Sequence, residues 1–247
     1  MKKLFALLVI FLVLAFVKPA EKLKIFIAGD STASIKETKA FPENGWGMPF
    51  VYFWDERVTV VNKAKNGRST RSFREEGLWD QILNESAPGD VVYIQFGHND
   101  EVPTKKTFTT ETEFTSNLVR FVTEARAKGM VPVLMTPVAR RKFDSAGTVV
   151  GTHDVYAQLV REVAKKEQTA FIDLDKKSQA LYQKLGVDAS VLMFNHLSPG
   201  EHPNYPDGKK DDTHFSELGA RKIAQIVLQE SRNVIPQLIP YIIQPKK

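Results

Sequence analysis

The sequence predicts an α/β fold in which a five-stranded parallel sheet is covered by helices on both faces. Five short apolar runs rich in β-branched residues alternate with stretches of helical periodicity, and such alternation builds βαβ units with right-handed crossovers. The composition, 43% hydrophobic and 26% charged, is that of a globular chain and excludes disordered, collagen-like and coiled-coil classes. No linker rich in Pro, Gly or Ser interrupts residues 21–247, so we expect one domain there.

Each predicted element follows from a local pattern. Continuous apolar runs of strand length predict buried strands, at residues 23–28, 58–61, 91–96, 131–135 and 170–174. Apolar residues spaced three and four apart predict helices, at residues 75–83, 111–128, 153–166, 176–185 and 216–229, the last with Ser216 as its N-cap. Residues 234–244 are apolar and interrupted by two prolines, which favours an extended strap over the body.

The first 20 residues have the pattern of a secretory signal. Lys2 and Lys3 precede an uncharged apolar run at residues 4–17, which is shorter than the about 20 residues of a membrane span. We therefore expect export to a secreted or periplasmic location, with no stable membrane association after cleavage. A retained N-terminal anchor is the alternative. Lys18-Pro19-Ala20 is a poor match to the small-x-small pattern of a cleavage site, so the position of the cut is open.

Charge and cysteine content exclude several classes of function. The formal net charge is +5, from 34 basic and 29 acidic residues. Residues 1–20 hold three lysines and no acid, which leaves 31 basic and 29 acidic residues in the rest of the chain. Such a balance argues against a nucleic-acid partner. With no cysteine, disulfides, cysteine metal sites and a thiol nucleophile are excluded, so a nucleophile must be an oxygen or a nitrogen.

Four polar clusters stand where a parallel sheet binds its ligands. Beyond the carboxyl ends of strands is the usual place for a site in such sheets. Three of the clusters come after predicted strands and the fourth precedes the last helix. They are Gly-Asp-Ser-Thr at 29–32, Asn-Gly-Arg-Ser-Thr at 66–70, Gly-His-Asn-Asp at 97–100 and Asp-Asp-Thr-His at 211–214. Each cluster taken alone equally describes a turn or a helix cap.

Together the clusters contain the groups needed for acyl transfer. Ser31 supplies a hydroxyl, Gly67 a backbone N–H and Asn99 an amide. Asp211 stands three residues before His214, so that it can accept from Nδ1–H and leave Nε2 free as a base. A nucleophile, a base, its orienting acid and oxyanion donors are thus all present. The G-x-S-x-G elbow of the common α/β-hydrolases is absent.

The four clusters, in this order, resemble the sequence blocks of the GDSL, or SGNH, hydrolases. The resemblance covers nearly the whole chain after residue 20. It implies a three-layer, flavodoxin-like α/β/α fold with Ser31 as nucleophile, His214 as base and Asp211 as its partner. It further implies an oxyanion hole from the backbone N–H groups of Ser31 and Gly67 and the side chain of Asn99. Neither a cofactor nor a metal is then required.

A narrower resemblance concerns the substrate. Four segments are similar to the rhamnogalacturonan acetylesterase branch, which implies removal of acetyl groups from pectin, an acidic polysaccharide. They are Gly-Asp-Ser-Thr-Ala at 29–33, Asn-Gly-Arg-Ser at 66–69, Thr-Pro at 136–137 with two arginines at 140–141, and Asn-Tyr-Pro-Asp-Gly at 204–208 leading into the fourth cluster.

Several side chains are candidates for substrate contact. Residues 63–74 hold five cations and no acid, and arginine offers carboxylates a bidentate fork. A solvated basic loop or internal ion pairs would give the same pattern. Trp46, between two glycines, is the candidate for stacking on a sugar, and Tyr205 lies in a loop expected to set substrate preference. The candidates for binding galacturonate carboxylates are Arg68, Arg71, Arg74, Arg140 and Arg141.

Three other interpretations stay open at the level of sequence. The same triad would serve a xylan deacetylase, a lipid esterase or a thioesterase. A glycan-binding module would have the same fold but no esterase activity. A metal-dependent hydrolase could draw its ligands from imidazoles and carboxylates, namely His196, His202, Asp211, Asp212 and His214.

Overall fold

The computed structural model describes residues 22–244 and confirms the predicted α/β class. Five strands form one parallel sheet in the order β2-β1-β3-β4-β5. The strands are β1 (Leu23–Gly29), β2 (Val58–Asn62), β3 (Val91–Gln95), β4 (Val131–Met135) and β5 (Ala170–Ile172). The predicted signal at residues 1–20 lies outside the described residues.

The described chain contains seven α-helices, which pack against the two faces of the sheet. They are α1 (Gly47–Phe50), α2 (Thr70–Glu75), α3 (Leu78–Glu85), α4 (Glu111–Ala127), α5 (Asp154–Lys166), α6 (Leu174–Ser190) and α7 (Glu217–Val234). Ser216 caps α7 as predicted, since its side chain accepts a hydrogen bond from the backbone N–H of Gly219 at 3.1 Å.

Two hydrophobic layers hold the helices to the sheet. Side chains alternate along a strand, so Ile25 and Ile27 of β1 face one layer while Phe26 and Ala28 face the other. The first layer contains buried residues of α1, α6 and α7, and the second contains those of α2, α3, α4 and α5. The result is the three-layer α/β/α arrangement that the sequence predicts.

The helix expected at 75–83 starts too early, because two helices occupy this region and α3 begins only at Leu78. Gly77 has a left-handed backbone with φ of 70°, a conformation that glycine adopts without strain. It separates α2 from α3. Phe73 and Trp79 of the two helices are both fully buried in the second layer, which explains why the apolar periodicity appears continuous across the break.

The tail lies against the body, but it is not extended. Residues Pro236–Tyr241 form a 3₁₀ helix in which Leu238 is buried. Ile242 then pairs with Trp54 in an isolated β-bridge. No α-helix within residues 22–244 has both the length and the apolar character needed to span a bilayer.

Candidate active site

The strand order brings three of the polar clusters together. β1 lies between β2 and β3, so the loops that follow these strands emerge side by side at the carboxyl edge of the sheet. They carry Gly67, Ser31 and Asn99, and all three residues line one open cavity of about 400 Å³. Asp211 and His214, from the loop before α7, line the same cavity. Its volume is within the usual range for small-molecule sites.

Ser31, His214 and Asp211 form one hydrogen-bonded line. The Ser31 hydroxyl lies 3.0 Å from Nε2 of His214, and Nδ1 of His214 lies 2.9 Å from Oδ2 of Asp211. The imidazole is thereby placed to take the proton of the hydroxyl while its other nitrogen donates to the carboxylate. The three side chains have the geometry of a nucleophile, a base and an orienting acid.

The Asp211 carboxylate is held in its ionised form. The second carboxylate oxygen, Oδ1, accepts the backbone N–H groups of Thr213 at 2.9 Å and His214 at 3.0 Å. Although burial acts to raise it, the pKa of Asp211 lies below its usual range because of the hydrogen bonds and charge of His214 and the two backbone donors. An ionised Asp211 favours the tautomer of His214 that leaves Nε2 unprotonated.

Backbone donors at the cavity are left free for a ligand. Among the described residues, the backbone N–H groups of Ser31 and Gly67 donate to no other protein group. A Cβ at Gly67 would meet nothing within 4 Å, but φ is +78°. The left-handed conformation of this turn, rather than lack of space, is therefore what requires glycine here.

The Asn99 amide is oriented from both ends. Its Nδ2 donates to the carbonyl of Arg68 at 3.0 Å, and its Oδ1 accepts from Lys105 at 2.8 Å. The amide therefore keeps a second N–H for the cavity. Next to it, the buried Asp100 accepts from Thr70 Oγ1 at 2.6 Å, which fixes the third loop against the start of α2. Burial raises the pKa of Asp100 to about 7 despite its hydrogen bonds.

Comparison with known proteins shows the family of this chain. The model of the GDSL-like Lipase/Acylhydrolase family matches residues 27–222. The chain belongs to this family. It is accordingly a carboxylic ester hydrolase, and the superfamily resemblance drawn from the four clusters is confirmed.

Relatives and a solved structure refine the comparison. The chain is 42% identical over 208 residues to the rhamnogalacturonan acetylesterase RhgT of Bacillus subtilis, covering 84% of this chain and 88% of RhgT. It is 33% identical to the probable rhamnogalacturonan acetylesterase YesY of the same organism, covering 82% of this chain and 89% of YesY. The crystal structure of B. subtilis YxiM superposes with a TM-score of 0.75 at 27% identity, covering 87% of this chain and 58% of that chain.

Four of the five arginines expected at the substrate do not line the cavity of this family member. Each is engaged with acidic side chains elsewhere: Arg68 with Glu76 at 2.8 Å, Arg71 with Glu113 at 3.7 Å, Arg74 with Glu124 at 2.8 Å and Arg141 with Asp212 at 3.0 Å. The interpretation of residues 63–74 as a carboxylate-binding surface is thus corrected in favour of internal ion pairs. Arg140 does line the cavity, and it also pairs with Glu101 at 2.9 Å.

The two aromatic candidates for substrate contact also make hydrogen bonds within the protein. Trp46 is fully buried and donates its indole N–H to Gln95 at 2.6 Å, so it cannot stack on a sugar, and that expectation is wrong. Tyr205 is half-buried and donates its hydroxyl to the carbonyl of Ala40 at 3.1 Å. Its ring carries the ammonium of Lys209 at 5.2 Å from the centroid, and Lys209 itself lines the cavity.

Sequence patterns miss several charged residues of the cavity. Lys105 and Lys209 each begin a pair of lysines in a loop, and Glu43 follows the nucleophile by twelve positions in an irregular segment. His98, within the third cluster, is buried at the cavity wall. Burial and the charge of His153 lower the pKa of His98 to about 4, so this imidazole is neutral at neutral pH. No periodicity or spacing signals these positions.

The five residues weighed as metal ligands are not assembled as a set. Within residues 22–244, the group of potential ligands that comes together is Glu43, Asp211 and His214. His196 instead contacts Asp212 at 2.9 Å, and the backbone N–H of Asn204 donates to His202 at 3.2 Å. The contacts of Asp211 and His214 are those expected of an acid and a base in a serine triad.

Proposed function

We propose that this chain is an exported serine carbohydrate esterase that removes acetyl groups from a pectic polysaccharide of the rhamnogalacturonan type. The observation that carries the proposal is the hydrogen-bonded line from Ser31 through His214 to Asp211 beside free backbone N–H groups. The substrate class is supported by the names of two relatives, RhgT and YesY, which are 42% and 33% identical. Both relatives are covered over most of their length.

The geometry leads to a two-step mechanism. Ser31 Oγ attacks the acetyl carbonyl while its proton passes to Nε2 of His214, and the resulting oxyanion accepts the N–H groups of Ser31, Gly67 and Asn99. The imidazolium then protonates the departing sugar oxygen, which leaves an acetyl-Ser31 ester. A water molecule, deprotonated by His214, attacks this ester. Collapse of the second intermediate releases acetate and returns the proton to Ser31.

Three cations at the cavity give it a preference for acidic glycans in this proposal. Lys105, Arg140 and Lys209 all line the cavity that holds Ser31. They come from three different loops, so they surround the site rather than forming one strip. Carboxylates of a bound galacturonan would meet these cations, since charge-assisted hydrogen bonds are the strong ones.

Removing one of these cations is expected to change selectivity. Arg140→Gln should lower the ratio of kcat/KM for acetylated galacturonate oligosaccharides to kcat/KM for a neutral aryl acetate by about ten- to a hundredfold, the value of one charge-assisted contact. Arg74→Gln is the matched control, because Arg74 is paired with Glu124 outside the cavity. The ratio is measured by acetate release at fixed ionic strength. Equal ratios in the two variants would contradict the role of Arg140.

Acetate release from a substrate panel tests the proposed function itself. We expect wild-type protein to release acetate from acetylated rhamnogalacturonan faster than from acetylated xylan or short-chain aryl esters, with and without a chelator. A preference for xylan or for lipid esters would show that the protein has another substrate specificity within the family. Activity lost to chelator would favour a metal-dependent hydrolase. No release from any ester would refute the esterase proposal.

Export is proposed from the first 20 residues alone. Two lysines followed by an uncharged apolar run form the order typical of a signal peptide. We expect the mature protein from the native host to begin near residue 21, and N-terminal sequencing of protein from the medium or periplasm locates the cut. An intact N-terminus on membrane-bound protein would support a retained anchor instead.

A further inference from the structure

A buried lysine lies directly beneath the nucleophile. The Lys36 side chain is fully buried, and its ammonium contacts the Glu43 carboxylate at 2.7 Å. The same ammonium donates to the backbone carbonyl of Ser31 and to Oδ1 of Asn66, the latter at 2.9 Å. Lysine is almost never fully buried unless it is paired, and here each of its three N–H bonds has an acceptor.

These contacts connect the three loops of the site. Ser31 carries the nucleophile, and Asn66 directly precedes the oxyanion glycine. Glu43 is followed by Asn44, whose backbone N–H donates at 2.9 Å to the carbonyl of Phe215, the neighbour of His214. Lys36 and Glu43 thus link the nucleophile loop, the oxyanion loop and the histidine loop. Loss of the Lys36 ammonium would loosen both the nucleophile loop and the oxyanion loop.

The pair also places two opposite charges near the base. A carboxylate oxygen of Glu43, one of Asp211 and a ring nitrogen of His214 lie within 4.8 Å of one another. Glu43 therefore favours the protonated imidazolium, and the Lys36 ammonium disfavours it. Burial lowers the pKa of Lys36, while the charges of Glu43, Asp30 and Asp211 oppose that shift. The other charged or titratable groups at the cavity wall are His98, Lys105, Arg140 and Lys209.

We propose that Lys36 and Glu43 form a positioning pair, which fixes the loops that carry Ser31 and Gly67 and balances the charge around His214. Among residues 22–244, no hydrogen bond joins either side chain to the Ser31 hydroxyl or to the His214 ring, so both act through other groups. The proposal rests on the proposed triad mechanism, in which His214 must be unprotonated to accept the proton of Ser31. The two charges then have opposite effects on the pH at which the enzyme becomes active.

Single substitutions test the charge balance. Glu43→Gln is expected to move the midpoint of the acidic limb of kcat/KM to lower pH, because the Lys36 ammonium then stays near the imidazole without its Glu43 counter-charge. Lys36→Met is expected to move the same midpoint to higher pH, because the Glu43 carboxylate then stays near the imidazole without its cation. The midpoint is measured by NMR of the His214 imidazole and by the acidic limb of kcat/KM against pH. A loss of packing alone would not move the two midpoints in opposite directions.

The double variant separates position from charge. Lys36→Met with Glu43→Met removes both charges, so the midpoint should return towards that of wild type. We expect kcat to fall at least tenfold, since the Ser31 carbonyl and Asn66 Oδ1 lose the ammonium as a donor and keep only the Ser34 hydroxyl. Lys36→Arg should recover part of kcat. An unchanged midpoint in Glu43→Gln, or wild-type kcat in the double variant, would overturn the proposal. The NMR titration needs no turnover, so an inactive wild type would refute the esterase function and leave this test intact.

Discussion

Ser31→Ala is expected to lower kcat for ester hydrolysis by about 10⁵- to 10⁶-fold, as in other enzymes that lose a triad nucleophile. The hydroxyl of Ser31 contacts Nε2 of His214 at 3.0 Å, and no other hydrogen bond of this hydroxyl is seen among residues 22–244. Its removal therefore abolishes the covalent step without leaving a buried group unpaired. We expect the thermal midpoint of unfolding to stay within about 2 °C of wild type.

Two measurements make this expectation specific. A serine-directed organophosphate should add its mass to the wild-type protein at Ser31 and leave Ser31→Ala unlabelled. Ser34→Ala is the matched control, because Ser34 lies in the same loop and is buried, but its hydroxyl contacts Asn66 at 2.6 Å rather than the histidine. It should keep kcat within about tenfold of wild type. Residual activity of that size in Ser31→Ala would mean that another group is the nucleophile.

The sheet is the part of the fold that local sequence predicts best. Strands buried on both faces are continuous apolar runs bounded by polar residues, and the predicted run at 131–135 matches Val131–Met135. The helix predicted at 75–83 fails at Gly77, because periodicity reports which face is buried and not whether the backbone is continuous. The tail is misjudged for a similar reason, since its prolines are compatible with the 3₁₀ helix at Pro236–Tyr241.

The candidate site also has a part that local sequence predicts and a part that it does not. Residues directly after strands can be anticipated, because parallel strands end at one edge, and this brings Ser31, Gly67 and Asn99 together. Arg74 was assigned to the substrate from its neighbours in sequence, whereas its partner Glu124 lies 50 positions further along the chain. Glu43 joins the site only through loop packing. Charge partners and irregular loops are tertiary properties, which no local pattern encodes.

Asp211→Asn is expected to lower kcat by about 10⁴-fold, the cost of exchanging the orienting acid for an amide in a serine triad. An asparagine can still accept the backbone N–H groups of Thr213 and His214, which now bond to Oδ1 of Asp211 at 2.9 and 3.0 Å. The loop should therefore keep its shape. The amide N–H₂ would face Nδ1 of His214, so the tautomer with the proton on Nε2 would be favoured and could not accept the proton of Ser31.

Asp212→Asn is the matched control for this change, since the same atoms are exchanged one residue away. Asp212 contacts Arg141 at 3.0 Å and His196 at 2.9 Å, and no contact between its side chain and His214 is seen in the described chain. We expect kcat to stay within about tenfold of wild type. Nitrogen-15 NMR of His214 reports the tautomer directly and should differ between the two variants. Equal losses of kcat with the same tautomer would contradict Asp211 as the acid that orients the base.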